Sequence, residues 1–546
     1  MRTVVIASVF GILLCAGALS SAWGDPPSAR VQDALEQATR PAPEFGAATM
    51  WLNTDKPLTL KQLRGQVVLI DFWTYCCINC MHVFPDLRFL EDKYRGQPFV
   101  VIGVHSGKFS AEKDPRNIRQ AILRNGITHP VAVDSDFHIW KAFGVNAWPS
   151  LVLIDPDGNI VEKLSGEGNR DRLDKAVAIL LDQYHKKGTL GQALMLRAEQ
   201  VVSEPEELAF PGKVLADAGS NRLFVSDTNH HRILVADLDG HVHGVIGSSV
   251  VGLEDGDFLT ARFHRPQGLA LSADGHTLYV ADTENHAIRA ADFRAKRVRT
   301  VAGTGVQSTD RDAEGPALQT ALNSPWDLAL VGDKLYIAMA GSHQIWVLDL
   351  SAGSVAVFAG TGHEGRIDGP SREAAFAQPS GLATDGRVLY VADTEVSTIR
   401  AVSLGSNSQT TTIAGGGGLF EFGVRDGNGE QALFQHPLGV TLWDEKLFVA
   451  DTFNHLIRLI DLKTREVTTW LGTGKAEKGT PQQIGLYEPG GVSVTNDTLY
   501  IADTNNHRIL AVEIKSKKVR VLDVKVEPQV LTSAPSGLPV SKPAMN

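Results

Sequence analysis

Two cysteines at the beginning of a predicted helix, Cys77 and Cys80, are the residues whose types and spacing point most directly to chemistry. The apolar run at residues 67–70 is typical of a buried strand, and apolar residues recur at helical spacing over residues 81–94. The free N–H groups and positive dipole end of a helix stabilise a thiolate, so such a cysteine ionises below the usual pKa of about 8.5. Cys80 lies one turn further on and can close a disulfide with Cys77. The spacing therefore predicts one sulfur that attacks and one that resolves.

The segment around these cysteines resembles the active-site segment of thioredoxins. Phe72 and Trp73 precede the cysteines at the spacing found there, and Cys76 stands where a tryptophan is usual. The dipeptide between Cys77 and Cys80 is Ile-Asn, which gives the sequence CCINC. This departure is found in proteins that resemble the NHL repeat-containing protein 2 family.

Two further residues stand at positions that have roles in thioredoxins. Asp71, six residues before Cys77, matches the buried acid that takes the proton from the resolving thiol. Pro149, just before a predicted strand, matches the cis-proline loop that lies against the disulfide. The resemblance implies catalytic roles for Cys77, Cys80, Asp71 and Pro149 and an accessory role for Trp73. It also implies a redox-active Cys77–Cys80 disulfide, with no separate cofactor and no metal.

Other uses of the cysteines stay open. Cys76 fills the volume of the missing tryptophan as a small apolar residue, or alternatively exchanges with the Cys77–Cys80 disulfide. Cys76 and Cys80 also have the spacing of thioredoxin-fold proteins that deliver copper(I), a soft ion that suits thiolates. A degenerate thioredoxin fold without turnover is the remaining alternative.

The first residues have the layout of a secretory signal peptide. Arg2 is followed by an apolar run and then by small residues, which predicts cleavage after Ala22 or Gly24 and a periplasmic or secreted protein. An uncleaved N-terminal membrane anchor is the alternative. Three of the 4 cysteines lie within residues 76–80, whereas an exported protein stabilised by disulfides would scatter an even number along the chain. The distribution of the cysteines therefore favours a single redox-active site over structural disulfides.

The second half of the chain repeats one motif in six units of about 55 residues. Its form is Leu-Tyr-Val-Ala-Asp-Thr-x-Asn-His-x-Ile, and its aspartate falls at Asp227, Asp282, Asp393, Asp451 and Asp503, with Met339 in its place in the third unit. A proline precedes each motif, at Pro211, Pro266, Pro325, Pro379, Pro437 and Pro489. Short apolar strands split by Gly and Asp turns at this period predict a closed six-bladed β-propeller.

The repeated motif resembles the NHL repeat, and the whole chain resembles the NHL repeat-containing protein 2 family. The resemblance implies an α/β thioredoxin-like domain followed by an all-β six-bladed NHL β-propeller. The predicted divisions are a signal peptide (1–24), a flexible arm (25–42), the thioredoxin-like domain (43–185), a linker (186–206), the propeller (207–523) and a disordered Pro-rich tail (524–546). Helices are predicted over residues 117–125 and 170–184 of the first domain.

The repeated Asp and His residues are expected to be structural, because they recur in nearly every unit. Differences between units are the better place to look for function. Four units have a glycine two residues after the proline, whereas Lys213 and Asp327 replace it in the other two. We expect these two charges to bind a partner at the mouth of the central channel; tolerance of the loops to substitution is the alternative.

The main hypothesis is an exported thiol–disulfide oxidoreductase whose propeller binds or presents a protein or peptide substrate. We expect a monomer that exchanges electrons with a membrane protein, and the net charge of −10 argues against nucleic acid as a partner. The alternatives are a non-catalytic interaction scaffold with a thioredoxin-like dock, a copper(I)-binding protein, and a hydrolase or lyase site on the propeller.

Overall fold

The computed structural model describes residues 40–194, 207–480 and 483–527. The predicted signal peptide, most of the predicted arm, the second part of the linker and most of the tail lie outside the described residues. No helix within the three described ranges is long and apolar enough to cross a membrane.

The first domain is a six-stranded sheet with helices, in the strand order β1-β4-β3-β2-β5-β6. Along the chain its elements are β1 (Met50–Leu52), β2 (Val67–Trp73), α1 (Ile78–Lys93), β3 (Phe99–His105), a 3₁₀ turn (Ala111–Lys113), α2 (Pro115–Asn125), β4 (Val131–Val133), α3 (His138–Ala142), β5 (Ser150–Ile154), β6 (Ile160–Ser165) and α4 (Arg170–Lys187). This is the predicted thioredoxin-like arrangement.

Strand β2 lies at the centre of this sheet because it is apolar on both faces. Val67 and Leu69 pack with α1, α2 and α4 on one side, whereas Val68 and Ile70 pack with α3 and the segment before β2 on the other. Strand β2 is parallel to β3 and antiparallel to β5. Its C-terminal end leads directly to the cysteines at the start of α1.

Helix α2 begins before the predicted residue 117. Asp114 caps it by accepting the N–H of Arg116 at 2.9 Å, and Pro115 occupies the first helical position, where no N–H is needed. Helix α4 continues past residue 184 to Lys187, where Gly188 in the left-handed conformation ends it. Both differences come from capping residues at the ends of a correctly predicted helix.

The propeller has six blades of four antiparallel strands, and blades 2–5 add a two-residue edge strand. Blade 1 has β7 (Val214–Asp217), β8 (Arg222–Asp227), β9 (Arg232–Ala236) and β10 (Val242–Ile246); blade 2 has β11 (Gly256–Asp257), β12 (Pro266–Leu271), β13 (Thr277–Asp282), β14 (Ala287–Asp292) and β15 (Arg297–Ala302). Blade 3 has β16 (Gly315–Pro316), β17 (Pro325–Val331), β18 (Lys334–Met339), β19 (Gln344–Asp349) and β20 (Ser354–Ala359). Blade 4 has β21 (Gly369–Pro370), β22 (Pro379–Thr384), β23 (Val388–Asp393), β24 (Thr398–Ser403) and β25 (Gln409–Ala414). Blade 5 has β26 (Gly427–Asn428), β27 (Gly439–Trp443), β28 (Lys446–Asp451), β29 (Leu456–Asp461) and β30 (Glu466–Leu471), and blade 6 has β31 (Pro489–Thr495), β32 (Thr498–Asp503), β33 (Arg508–Glu513) and β34 (Val519–Val521).

The ring closes by packing and hydrogen bonds between the first and last blades. Strand β31 lies against β7, as the inner strands of other neighbouring blades lie against each other. The hydroxyl of Thr504 donates to the carbonyl oxygen of Pro211 at 2.8 Å, and Ala216 N–H donates to Ser493 Oγ at 3.0 Å. The strands of each blade follow one another along the chain without interruption. The period of the sequence repeat therefore matches the blades directly.

The repeated aspartates hold each blade together internally. One carboxylate oxygen of Asp393 accepts the N–H of Ala377 at 2.7 Å, and the other pairs with Arg400 at 2.6 Å. Equivalent ion pairs join Asp227 to Arg232, Asp282 to Arg289, Asp451 to Arg458 and Asp503 to Arg508. In blade 3 both partners change together, to Met339 and Trp346, so that no buried charge is left unpaired there.

The repeated histidines join neighbouring blades. Each one has a positive φ, and its Nδ1 accepts a backbone N–H from the next blade, as His343 does from Gln378 at 3.0 Å. The same bond joins His231 to Arg265, His286 to Ser324, His455 to Glu488 and His507 to Phe210. Burial lowers the pKa of four of these imidazoles, those of His231, His286, His343 and His455, which agrees with an unprotonated Nδ1 that accepts an N–H.

Candidate redox site at the domain interface

The two cysteines of the predicted site lie at the N-terminus of α1. Cys77 is the N-cap residue, and its Sγ accepts the N–H of Cys80 at 3.4 Å. Cys77 is half-buried, whereas Cys80 is 1% exposed. All three cysteines of the described residues are free thiols. The more accessible sulfur is therefore the one held at the positive end of the helix, and its partner lies behind it.

Asp71 lies in the second half of β2, close enough to Cys80 for its charge to affect that thiol. It is fully buried, and neither carboxylate oxygen has a hydrogen-bond partner among the described residues. Burial raises the pKa of Asp71 to about 7, against a smaller opposing effect of His129. Burial, together with Cys77 and Asp71, also raises the pKa of the Cys80 thiol well above its ordinary value. Cys80 therefore needs a base, and Asp71 can exchange a proton near neutral pH.

The other predicted thioredoxin-like residues surround the cysteines. The indole of Trp73 is fully buried and packs edge-on against Phe84 and His105, with ring centroids 5.3 and 4.7 Å apart. The peptide bond between Trp148 and Pro149 is cis, immediately before β5. Trp148 lines the same cleft as Cys77. Trp73 thus belongs to the same apolar cluster as the cysteines, and Pro149 follows directly on the cleft residue Trp148.

Cys76 is packed as a buried side chain. It is 1% exposed, and its N–H donates to Glu112 Oε1 at 2.8 Å. Burial, and next the charges of Glu112 and Glu395, raise the pKa of the Cys76 thiol well above its ordinary value. This environment suits the small apolar filler; the role of Cys76 in exchange stays a prediction. Within the described ranges, no group of three or more His, Cys, Asp or Glu side chains could hold a metal ion.

The propeller holds the cysteine loop through one amide. Oε1 of Gln378 accepts the N–H of Ile78 at 2.9 Å, and its Nε2 donates to the carbonyl oxygen of Cys76 at 3.0 Å. Gln378 is 2% exposed. The amide therefore binds the backbone on both sides of Cys77. Because the propeller supplies it, the candidate redox site is built by both domains.

Gln378 belongs to a ring of residues that each precede the proline at the start of a blade. All six have a positive φ; they are Phe210, Arg265, Ser324, Gln378, His436 and Glu488. Five of them contact the first domain: Arg265 bonds Asn125, Ser324 bonds His82, Gln378 holds Cys76 and Ile78, His436 packs on Phe109, and Glu488 binds Tyr75 and Arg124. We name this ring the socket.

A second ring reinforces the socket at the x position of the Asp-Thr-x-Asn-His motif. Asn229 Nδ2 donates to the carbonyl oxygen of Arg124 at 2.7 Å, and the Phe453 ring packs against Tyr75. Glu395 forms an ion pair with Lys108, and both side chains are 6% exposed. Sequence reasoning missed both rings. The sequence does mark these two rings, because their positions vary from blade to blade while the neighbouring positions repeat.

The two charged substitutions, Lys213 and Asp327, bind each other within the propeller. Lys213 Nζ lies 3.2 Å from Asp327 Oδ2 and also donates to the carbonyl oxygens of Ser380 and Leu438 at 2.8 and 2.6 Å. Both residues line a cleft of about 200 Å³. Their charges are thus satisfied inside the protein, and the predicted partner binding at this position stays a prediction.

A cleft of about 190 Å³ lies over Cys77 between the two domains. Its walls come from Asn79, Lys108 and Trp148 of the first domain and from Glu364, Glu395, Leu419 and Phe420 of the propeller, among others. Any molecule that reaches Cys77 through this cleft therefore meets side chains of both domains.

These features define a class of protein: a thioredoxin-like domain, with paired cysteines at a helix N-terminus, joined to a six-bladed NHL-type propeller. Residues 65–160 match the family model described as thioredoxin-like, and residues 263–290 and 486–511 match the NHL repeat. The chain is 41% identical over 520 residues to human NHL repeat-containing protein 2, covering 88% of this chain and 71% of that protein. The chain belongs to the NHL repeat-containing protein 2 family.

Two other relatives bear on the separate parts of the chain. Protein SUPPRESSOR OF QUENCHING 1, chloroplastic, from Arabidopsis thaliana is 43% identical over 512 residues, which is 90% of this chain and 48% of that protein. The chain thus spans about half the length of this plant relative. Thiol-disulfide oxidoreductase YkuV from Bacillus subtilis (strain 168) is 31% identical over 139 residues, which is 25% of this chain and 92% of that protein. The first domain is therefore related to thiol–disulfide oxidoreductases.

Proposed function

We propose that this protein is a thiol–disulfide oxidoreductase in which Cys77 attacks and Cys80 resolves. The observation that carries the proposal is the accessible Cys77 sulfur at the N-terminus of α1, with buried Cys80 one turn away. The relation of the first domain to thiol–disulfide oxidoreductases supports the same chemistry.

The reaction transfers two electrons between the protein dithiol and a substrate disulfide. The Cys77 thiolate forms a bond to one substrate sulfur while the substrate S–S bond breaks, and the released sulfur takes a proton from solvent. Cys80 then gives its proton to Asp71 and attacks the Cys77 sulfur. The Cys77–Cys80 disulfide forms as the bond between Cys77 and the substrate sulfur breaks, and that sulfur leaves as a thiolate that takes a proton from solvent. The same steps in reverse oxidise a substrate dithiol, so the redox partner sets the direction.

The cis-proline loop is proposed to position the substrate backbone. A proline has no N–H, and the carbonyl oxygen of Pro149 already accepts the N–H of Gly166 at 2.9 Å. Backbone hydrogen bonds to a substrate are therefore proposed for Trp148, which lines the cleft together with Cys77, and the role proposed for Pro149 is to fix this backbone. The propeller is proposed to bind the rest of a protein or peptide substrate.

Export is proposed from the signal-like N-terminus, with a membrane anchor as the alternative. An exported dithiol needs an electron donor, for which we propose a membrane protein. Sequencing the N-terminus of the protein recovered from cell fractions distinguishes cleavage from an anchor. An uncleaved protein in the cytoplasmic fraction contradicts export.

The chemistry is tested with the reduced protein and hydroxyethyl disulfide, a small neutral substrate. We expect stoichiometric thiol release in the wild type, none in Cys77→Ser, and a trapped mixed disulfide in Cys80→Ser. The Cys76→Ser variant distinguishes the filler, which keeps exchange, from a third exchanging thiol. If the wild-type protein binds peptides but never exchanges thiols, the oxidoreductase proposal is wrong and the non-catalytic interaction scaffold remains.

A further inference from the structure

The two domains are tied to each other around the cleft over Cys77. Buried contacts on its propeller side include the Gln378 amide and the ion pair between Lys108 and Glu395. Lys108 Nζ also donates to the carbonyl oxygen of Glu395 at 3.1 Å. These contacts fix the propeller wall relative to the cysteine. A bound substrate therefore has to fit both walls at once.

The propeller wall presents apolar side chains at the cleft. Leu419 and Phe420 line it, and Phe420 is 72% exposed. They follow the run of four glycines at residues 415–418. A Cβ on Gly417 would lie 2.3 Å from the guanidinium of Arg366, and Gly417 has a φ of +86°. The glycines let the backbone turn tightly against Arg366, and this turn carries the two apolar residues to the cleft beside the redox site.

The charged residues of the cleft make it unfavourable for acidic groups. Glu364 and Glu395 supply two carboxylates, whereas Lys108 supplies one ammonium group and is already paired with Glu395. Glu364 lies at the exposed rim, where a substrate carboxylate would approach it. A carboxylate on a substrate in the cleft would therefore be repelled by Glu364, although solvent screens part of this repulsion.

We infer that the propeller wall selects the substrate: a disulfide-bearing peptide with an apolar side chain beside its cysteine and no acidic residue next to it. The inference rests on the proposed oxidoreductase function. A peptide, unlike a very small disulfide, extends far enough from Cys77 to cover Phe420. Covering an exposed aromatic ring supplies binding free energy that the small disulfide cannot obtain.

The test uses three synthetic peptides that differ only beside their single cysteine, which carries Phe, Gly or Asp there. Each cysteine is activated as a pyridyl disulfide, and the release of thiopyridone by the reduced protein is followed. We expect the Phe peptide to react about tenfold faster than the Gly peptide, as burial of part of a phenyl ring implies. Phe420→Ala should remove most of this advantage. The matched control is Val424→Ala, an exposed apolar residue that does not line the cleft.

The charge preference is tested with the Asp peptide. We expect it to react more slowly than the Gly peptide and to gain about threefold in Glu364→Gln, the scale of a screened ion interaction. Glu373→Gln, an exposed glutamate outside the cleft, is the control and should leave the rates unchanged. Equal rates for the three peptides, or equal effects of Phe420→Ala and Val424→Ala, overturn the inference. Failure of the wild type to react with hydroxyethyl disulfide instead overturns the proposed function.

Discussion

Replacing Asp71 by asparagine should slow thiol exchange and at the same time stabilise the folded protein at neutral and higher pH. Asp71 is fully buried, and its oxygens have no hydrogen-bond partner among the described residues. Ionisation of such a carboxyl is costly, which is why its pKa rises to about 7. Asparagine has nearly the same shape but neither ionises nor accepts a proton.

The size of the stability effect follows from the pKa shift. Folding raises the pKa of Asp71 from the ordinary aspartate value of 3.8 to about 7. Between these pH values the folded state binds the proton and the unfolded state does not, so stability is lost as the pH rises from about 4 to 7. At 1.36 kcal/mol per pKa unit the loss approaches about 4 kcal/mol. Asp71→Asn abolishes this loss, so its advantage should grow over the same pH range.

The kinetic effect has the opposite sign. In the proposed mechanism the ionised Asp71 takes the proton of Cys80, whose own pKa is raised by burial. The wild-type resolving step should therefore speed up as the pH rises through about 7. Asp71→Asn should lose this inflection and resolve the mixed disulfide about a hundredfold more slowly at neutral pH.

Both effects are measured on one set of samples. Denaturant unfolding at about pH 4 and pH 8 gives the stability difference, and single-turnover release of the second substrate thiol gives the resolving rate. Asp282→Asn in the propeller is the control, since it removes a buried carboxyl far from the cysteines. It should change the stability without moving the kinetic pH profile. An Asp71→Asn protein that resolves at the wild-type rate refutes the proton-acceptor role.

Three further predictions concern the propeller. Gln378→Met leaves two buried backbone groups without their partner and should lower the unfolding free energy by about 2–5 kcal/mol, measured by denaturant titration. The buried histidines between blades should make the protein less stable in mild acid, because burial lowers the pKa of His343 to about 4. Between about pH 6.5 and 4 the unfolded state binds the proton and the folded state does not, so stability should fall as the pH drops through this range, and less steeply in His343→Gln. Lys213→Met should cost about 3–5 kcal/mol by leaving Asp327 buried and unpaired, and the double change Lys213→Gly with Asp327→Gly should recover most of it in thermal unfolding.

The local parts of the molecule could be predicted from the sequence. The strand–cysteine–helix segment and the six blades depend on neighbouring residues or on a fixed period, whereas the role of Asp71 was implied by the resemblance to thioredoxins. Buried strand β2 and the amphipathic start of α1 needed no long-range information to be recognised. The fold class follows from such patterns because each blade is one continuous stretch of chain.

The interface could not be predicted in the same way. Gln378 and Ile78 are separated by 300 positions, and Glu488 and Tyr75 by 413. No local periodicity relates such pairs, and a glutamine before a proline looks like a turn residue. The differences between blades that stand out in the sequence lie two residues after each proline, at Lys213 and Asp327. The differences that meet the first domain lie one residue before it.

The repeat explains why the socket lies at those positions. The proline of each blade and the aspartate of every blade except blade 3 have structural tasks, whereas the residue before the proline differs in all six blades. In five blades this residue contacts the thioredoxin-like domain. Blade 4 shows the consequence, since it supplies both Gln378 and Glu395 beside the cysteines. A few changes at these positions are therefore enough to let a propeller hold a second domain, here at the cysteine loop, with its blades otherwise intact.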